Sequence, residues 1–213
     1  MTQPTGGIMH ISVVGAAGMV GSQITAEALS RGHQVDAYTR SGRTTDLTAT
    51  QPLALTDTDA VAQVVNASDA TVITVGGRDD YEAVVAAHER LIAARPTGRV
   101  LVVGGAGALP VGNQRLLDSP DFPAAYLPEA TAFARVYDDY AASEGLNWTM
   151  IAPSPEIAPG VRTGHYVDGG NGLAGGFVST QDFAVAALDE LENPAHAGER
   201  FSVASTDEAA ARG

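Results

Sequence analysis

The chain of 213 residues contains no cysteine and no lysine. The absence of cysteine excludes disulfides, thiolate catalysis and cysteine-ligated metals, and it is typical of proteins in a reducing compartment. The absence of lysine excludes a Schiff-base lysine, a Walker-type phosphate-binding lysine and a tyrosine–lysine catalytic pair. All 12 basic residues are therefore arginines. The five histidines are scattered without metal-ligand spacing, so we predict no metal site.

Positive charge and long apolar runs are also scarce. The 25 acidic residues outnumber the bases and give a formal net charge of −13. This balance argues against binding to nucleic acid or to anionic membranes, since both require clustered cations. No stretch approaches the roughly 18 apolar residues that span a bilayer, and the first residues show no signal-peptide pattern. We expect a soluble, cytoplasmic monomer or homodimer that acts on a small molecule.

Aromatic residues make up only 6% of the chain, whereas hydrophobic residues make up 45%. The core must therefore consist mainly of Ala, Val, Leu and Ile, which suits helices packed on a buried parallel sheet. The length fits one domain, and strand and helix patterns alternate. We predict a single α/β domain over residues 1–213, with a doubly wound, mostly parallel sheet and helices on both faces. Residues 1–8 are expected to form a flexible lead and 207–213 a polar tail.

The predicted strands are short and end at glycine, proline or polar residues, and Gln34–Thr39 is recognised by its alternation rather than as an apolar run. They are His10–Val14, Gln34–Thr39, Leu53–Leu55, Thr71–Val75, Arg99–Val103, Asn147–Ala152 and Phe201–Ala204. Helical patterns lie between them, the later ones over 79–95, 129–144 and 180–191. Two irregular regions, 106–128 and 153–176, follow strands at the carboxyl edge, where ligands of such sheets bind. We predict that they wall a substrate pocket. A short hairpin is expected between His165–Val167 and Phe177–Ser179.

The most informative motif is G-x-x-G-x-x-G over 15–21, between an apolar strand and a helical pattern. Such glycines let the backbone approach a pyrophosphate, and the helix N-terminus supplies free N–H groups. The spacing alone is weak evidence in a chain with 24 glycines, and a turn that serves only tight helix–strand packing is the alternative. The strand–turn–helix context favours a dinucleotide site formed by Gly15, Ala17, Gly18, Met19, Val20 and Gly21.

The residue after the second strand distinguishes NAD sites from NADP sites. An NAD site has an acid there, whereas this chain has Arg40, which can pair with a 2′-phosphate. Ser41 and Arg43 could add contacts, and Asp36 should face away because it lies in mid-strand. We therefore predict NADP(H) over NAD(H), with a solvated surface arginine as the alternative. Segments after later strands are predicted to complete the cofactor site: Thr74, Val75, Gly76, Gly104, Gly105, Pro153 and Ser154.

Several segments together resemble the atypical short-chain dehydrogenase/reductases of the NAD(P)H-binding type, often described as NADH-flavin reductase-like or NmrA-like. The matching segments are Gly15–Gly21, Val102–Leu109, Leu146–Pro153, Pro159–Gly164 and Ser179–Ala184. The resemblance covers nearly the whole chain. It implies a Rossmann-type fold, NADP(H) binding, and a flavin, quinone or other small organic molecule as hydride acceptor. The chain departs from the family at Ala108, where a serine that could contact substrate is usual.

Hydride transfer to a flavin or quinone requires mainly positioning, because the acceptor can take its proton from water. Reduction of a carbonyl would require a donor, and the candidates are Tyr137, Tyr140, His165 and Tyr166, each with packing as the alternative. Typical short-chain enzymes use Tyr-x-x-x-Lys, but here Ala141 follows Tyr137 at the lysine position. We predict an NADPH-dependent oxidoreductase. The alternatives are an NADP-dependent isomerase or dehydratase, and a non-catalytic NADP(H)-binding sensor.

Overall fold

The computed structural model describes residues 7–43, 45–77 and 80–213, which form twelve strands and six α-helices. The strands are β1 His10–Val14, β2 Gln34–Thr39, β3 Thr50–Pro52, β4 Ala70–Ile73, β5 Arg99–Val103, β6 Pro110–Val111, β7 Gln114–Arg115, β8 Asn147–Pro153, β9 Glu156–Ala158, β10 Tyr166–Asp168, β11 Phe177–Ser179 and β12 Arg200–Ser205. The helices are α1 Met19–Ser30, α2 Thr58–Ala67, α3 Tyr81–Ala94, α4 Leu127–Ala141, α5 Thr180–Glu192 and α6 Glu208–Arg212.

Eight strands form one sheet in the order β10-β12-β8-β5-β4-β1-β2-β3. All neighbours are parallel except β10, which runs antiparallel to β12 at the edge. The chain places β2 and β3 on one side of β1 and then crosses to β4 on the other side. The carboxyl ends of β1 and β4 therefore flank the switch in strand order, where ligands of such sheets bind. The predicted doubly wound, mostly parallel sheet is confirmed.

The central strands are apolar on both faces because helices cover both sides of the sheet. In β1, Ile11 and Val13 are fully buried and Val14 is 1% exposed. One apolar cluster joins the sheet to α1 and α5 and includes Phe183. The other joins it to α2, α3 and α4 and includes Trp148. Among the described residues, no helix is long and apolar enough to cross a membrane.

The third strand lies earlier than the sequence pattern predicts. It spans Thr50–Pro52, whereas the predicted Leu53–Leu55 follows it outside regular structure. Leu53 and Leu55 are 9% and 5% exposed, so their apolar character reflects packing under α2 and α3 rather than strand pairing. The true strand is at the sheet edge, where polar residues and a proline are tolerated. The prediction was wrong because an edge strand lacks an apolar signal.

The predicted hairpin between His165–Val167 and Phe177–Ser179 does not form. Instead, β10 pairs with β12, and β11 pairs in parallel with β9. Each segment bonds to a strand distant in sequence, and β11 thereby buries Phe177 and Val178, which are 1% and 0% exposed. Local pattern cannot reveal such long-range pairing.

Two further regions are more ordered than predicted. The region 106–128 contains three short 3₁₀ turns and the β6–β7 hairpin, and its last residues already belong to α4. The predicted tail 207–213 includes α6, because Asp207 caps the helix and Ala211 is fully buried. Of the predicted lead, residues 1–6 lie outside the described residues, whereas Gly7 and Ile8 are exposed.

A buried polar group lies between α3, α4 and β8. The His88 Nδ1 and Tyr140 Oη atoms are 3.1 Å apart, and both side chains are 1% exposed. Their rings meet edge to face, and Tyr140 also contacts Trp148. Burial lowers the pKa of His88 from 6.5 to about 4. His88 is therefore neutral in the folded protein at neutral pH, and Tyr140 belongs to the core rather than to an active site.

This pKa predicts a contribution of His88 to acid sensitivity. Between pH 6.5 and about 4 the unfolded chain binds a proton on this residue and the folded chain does not, so stability falls as pH is lowered. The contribution is about 1.4 kcal/mol per pH unit at most. Urea unfolding between pH 7 and about 4.5 should show a shallower pH dependence for His88→Gln than for the wild type. The exposed His165→Gln variant is the matched control, and parallel curves for His88→Gln and wild type would contradict the assignment.

Candidate functional site

The glycine turn after β1 is fixed between the ends of β2 and β4. The Gly15 and Ala16 N–H groups both donate to the Tyr38 carbonyl, at 2.9 and 3.0 Å. Gly15 has φ of +96°, and a Cβ there would collide with the Thr74 carbonyl oxygen. Both the left-handed backbone and the close approach require glycine at this position. The turn therefore lies directly at the switch point of the sheet.

The first turn of α1 presents unused backbone donors. The first helical bond runs from Ser22 N–H to the Gly18 carbonyl, so the N–H groups of Met19, Val20 and Gly21 have no acceptor within the helix. No side chain caps the helix, and no acid lies in its first turn. These donors and the helix dipole favour an anion here. The backbone thus fits the pyrophosphate of a dinucleotide.

Gly21 explains why α1 can start so close to the sheet. A Cβ at Gly21 would collide with the Gly15 carbonyl oxygen and lie 2.8 Å from the Thr74 Cγ2 atom. The glycines therefore do serve tight helix–strand packing, which was the alternative interpretation of the motif. The same packing aims the helix N-terminus at the switch point, so the two interpretations are compatible.

Arg40 lies where the sequence predicts it, directly after the last residue of β2, and it is exposed. Ser41 and Arg43 are exposed in the same turn. Asp36 lies further back on the strand, and its Oδ2 is 2.8 Å from His10 Nε2. Within the described part of the chain, neither Arg40 nor Arg43 forms an ion pair. Both arginines thus lie exposed after the end of β2, the strand whose Tyr38 carbonyl anchors the glycine turn.

The later predicted segments differ in what they can offer a cofactor. Gly76 is exposed, and a Cβ there would meet only Glu129 Oε1, at 3.7 Å. Gly104 packs against Met150, whose Sδ would lie 2.8 Å from a Cβ on this glycine. Ser154 is 1% exposed, and its hydroxyl donates to the Val203 carbonyl at 2.9 Å. The Ser154 side chain is therefore occupied within the fold, so a contribution from this residue would come from its backbone.

The remaining predicted cofactor residues lie at the same edge of the sheet. Thr74 and Val75 follow β4, with the Thr74 N–H donating to the Val14 carbonyl at 2.9 Å. Gly105 follows β5, and a Cβ there would lie 3.6 Å from the Phe133 Cβ. Pro153 is the last residue of β8. The carboxyl ends of β1, β4, β5 and β8 thus bring these segments into one row.

With Tyr140 in the core, the three remaining candidate proton donors are not brought together. Tyr137 lies on α4, on the face of the sheet covered by α2, α3 and α4. Tyr166 packs on the opposite face, where burial and then the charge of Asp189 raise its pKa above the ordinary value. His165 is exposed just before the edge strand β10. The three side chains therefore do not form one catalytic group. Of the three, Tyr137 is the one that lies on α4.

Asp182 lies in the first turn of α5 and is a structural residue. In the sequence it is no more than an acid near the start of a predicted helix. It is fully buried, and it accepts hydrogen bonds from the Thr163 and Gly164 N–H groups at 2.8 and 2.9 Å. The Thr163 and Ser205 hydroxyls donate to its other oxygen, each at 2.8 Å. Two of the segments that carry the family resemblance, 159–164 and 179–184, are thus joined by this carboxylate. It holds the region 153–176 against α5.

Sequence reasoning missed three residues near the pocket region. Arg200 begins β12 and is 3% exposed, with its guanidinium carbon 3.7 Å from the centre of the Tyr137 ring. Asn171 accepts hydrogen bonds from Arg200. Glu129 lies near Gly76, as described above. The available signal was an arginine at the start of an apolar strand in a chain poor in bases; nothing in the pattern indicated Asn171 or Glu129.

Residues 15–194 match the model of the NAD(P)H-binding family. The chain belongs to this family. The uncharacterized protein YwnB of Bacillus subtilis is 36% identical over 217 residues, which cover 94% of this chain and 100% of YwnB. This family membership agrees with the resemblance derived from the sequence motifs.

Solved structures agree with the fold. A Streptococcus pneumoniae protein, provisionally named an NADH-flavin reductase, has a TM-score of 0.82 and 30% identity, covering 93% of this chain and 100% of its own. A wide-type short-chain dehydrogenase/reductase from Veillonella parvula, solved in complex with NADP, has a TM-score of 0.71 and 16% identity, covering 93% and 95%. At that identity the second likeness shows the fold alone. The Rossmann-type architecture of this NAD(P)H-binding protein is therefore clear.

The buried hydrogen bonds to the Asp182 carboxylate lead to a prediction about stability. Asp182→Ala removes the acceptor of several buried donors and should lower the free energy of unfolding by about 3 kcal/mol or more, measured by urea denaturation. Asp80→Ala is the matched control, because Asp80 is exposed and caps α3 through the Ala83 N–H alone. That control should cost about 1 kcal/mol. Similar losses in both variants would contradict the role of Asp182 in joining the two segments.

Proposed function

We propose that this protein is an NADPH-dependent oxidoreductase that transfers a hydride to a small organic acceptor such as a flavin or quinone. The proposal rests on one observation: the α1 N-terminus, with its free N–H groups, and Arg40, after the end of β2, are both at the carboxyl edge of the sheet. The backbone donors of Met19, Val20 and Gly21 suit the pyrophosphate. Arg40 suits the additional phosphate of NADP(H), for which a guanidinium is the preferred partner.

The chemistry follows from what this chain can supply. NADPH, when bound, supplies a hydride, and the acceptor takes that hydride together with one proton from water. The protein's part is to hold the two molecules in line at the carboxyl ends of β4, β5 and β8. The three donor candidates lie apart, which favours an acceptor that needs no acid from the protein over a carbonyl substrate. The name of the Streptococcus pneumoniae relative supports a flavin as one acceptor.

Turnover distinguishes an enzyme from a non-catalytic sensor. Purified protein mixed with NADPH and a panel of flavins and quinones should consume NADPH, followed by its absorbance. The Ala17→Asp variant is the control, because this exposed position lies in the glycine turn and a carboxylate there repels the pyrophosphate. It should remain folded and lose turnover. Binding of NADPH without turnover across the whole panel would favour the sensor and contradict the proposed reaction.

Cofactor preference provides a separate test. Arg40→Asp should weaken NADPH binding about 10- to 100-fold, the range expected for a lost charge-assisted hydrogen bond, and should spare or improve NADH binding. Arg95→Asp makes the same change of charge at the exposed end of α3, far from the glycine turn. This control should change the affinity for neither NADPH nor NADH. Titration of each variant with both cofactors measures the effect. Equal loss of NADPH and NADH, or loss of neither, would contradict the role of Arg40.

A further inference from the structure

Among the described residues, Arg200 is a buried cation whose hydrogen-bond partner is neutral. It is 3% exposed, and its guanidinium lies over the Tyr137 ring. Its Nε and Nη2 atoms both donate to the Asn171 amide oxygen, at 3.0 and 2.7 Å. The Nη1 atom is buried and has no hydrogen-bond partner among the described residues. Asn171 therefore fixes the Nε and Nη2 edge of the guanidinium, whereas Nη1 has no acceptor among the described residues.

The comparison with Arg99 shows that this arrangement is unusual within the molecule. Arg99 is 8% exposed, and its Nη2 lies 2.9 Å from Glu190 Oε1, so the buried charge is paired. No carboxylate oxygen of the described residues lies within 4 Å of Arg200. Burial lowers the pKa of Arg200, as expected for a desolvated cation. A buried charge without a counter-ion is costly, and this chain has acids in excess.

The contacts of Arg200 link it to both regions that are predicted to wall the substrate pocket, although the residue itself begins β12 beside Met150, three residues before the carboxyl end of β8. Tyr137 lies on α4, and Asn171 belongs to the predicted pocket region 153–176. The other predicted region, 106–128, contributes Arg115, which forms two hydrogen bonds to Asp138 at 3.0 and 2.6 Å. These two side chains are 39% and 50% exposed, and both charges act on Arg200. A surface ion pair that can exchange partners thus lies beside the buried cation.

We propose that Arg200 is a substrate-recognition residue and that it receives an anionic group of the acceptor, a carboxylate or a phosphate. Tyr137 and Asn171 hold the guanidinium in place without neutralising it. Half-exposed Arg115 can turn from Asp138 toward the same anion. This inference rests on the proposed function, since it names the class of acceptor that the pocket selects. An aromatic acceptor with an acidic side arm can take the hydride on its ring system and bind Arg200 through its anionic group.

Direct binding tests this without requiring turnover. The protein, saturated with NADP⁺, is titrated with three flavins that share one ring system: neutral lumiflavin, carboxymethylflavin and FMN. The wild type should bind the anionic flavins about 10- to 100-fold more tightly than lumiflavin, the range for a hydrogen bond to a charged group. Carboxymethylflavin and FMN separate a carboxylate from a phosphate as the preferred anion. Equal binding of all three, or binding of none, would overturn the proposal.

Two variants and a control assign the preference to Arg200. Arg200→Met should abolish the preference for anionic flavins, measured as the ratio of their affinity to that of lumiflavin in the same variant, whereas Arg200→Lys should retain part of the preference. Arg212→Met is the matched control, because Arg212 also stacks on an aromatic ring, that of Phe177, but is paired with Glu156. Thermal melting confirms that each variant is folded. A preference that survives in Arg200→Met would overturn the assignment.

The outcomes for turnover and for recognition are distinguishable. Anion-dependent binding lost in Arg200→Met, without NADPH oxidation by any acceptor, would leave Arg200 as a recognition residue and contradict the proposed reaction. Turnover of flavins and quinones irrespective of their charge would support the reaction and contradict the role of Arg200.

Discussion

The contact on which the rest of the site depends is the packing of the β1–α1 turn against the end of β4. Gly15 lies against the Thr74 carbonyl and Gly21 lies against the Gly15 carbonyl, at separations that exclude any side chain. The Tyr38 carbonyl holds the turn from the other side, through the N–H groups of Gly15 and Ala16. Because the turn is fixed to both neighbouring strands, α1 has one possible direction. Its unused N–H groups then point to the carboxyl edge, and no catalytic side chain is needed to create an anion site there.

The far end of α1 is secured by charge instead of close packing. Arg31 bonds to Glu27 in its own helix and to Asp189 and Glu192 on α5. Arg162, from the region after β9, adds two bonds to Glu27 at 2.8 Å. Several of these groups are buried, so the network costs desolvation and contributes orientation more than stability. Its consequence for the site is rigidity, since a helix fixed at both ends presents its N-terminus without loss of freedom on binding.

The sequence predicted well what depends on local pattern and poorly what depends on distant partners. The bounds of β1, β2 and β5 were predicted correctly. The strands β1 and β5 are almost continuously apolar, as buried parallel strands are, whereas β2 alternates between apolar and polar residues. The edge strand β3 and the partners of β10 and β11 were predicted wrongly, because strand pairing at an edge leaves little trace in composition.

The same distinction applies to the site. The glycine turn and the position of Arg40 could be predicted because strand, turn and helix are consecutive in the sequence. The separation of Tyr137 from Tyr166 could not, because it depends on which face of the sheet each packs against. The contacts of Arg200 could not be predicted for a related reason. Its partners come from α4 and from the region after β8, and no spacing in the sequence links them.

The electrostatics of the chain give its unpaired arginines particular weight. With a net charge of −13, the overall field opposes the approach of a phosphorylated cofactor or an acidic acceptor. Binding of such anions must therefore rest on local donors that exceed this repulsion. In the proposed function the exposed Arg40 is one such donor, at the adenosine end, where solvent weakens the charge but leaves it accessible. The proposed recognition role makes Arg200 the other, under α4, where low dielectric strengthens each interaction and makes the lack of a carboxylate partner among the described residues costly. In a chain without lysine, two cations of different burial can thus divide the work of holding cofactor and acceptor.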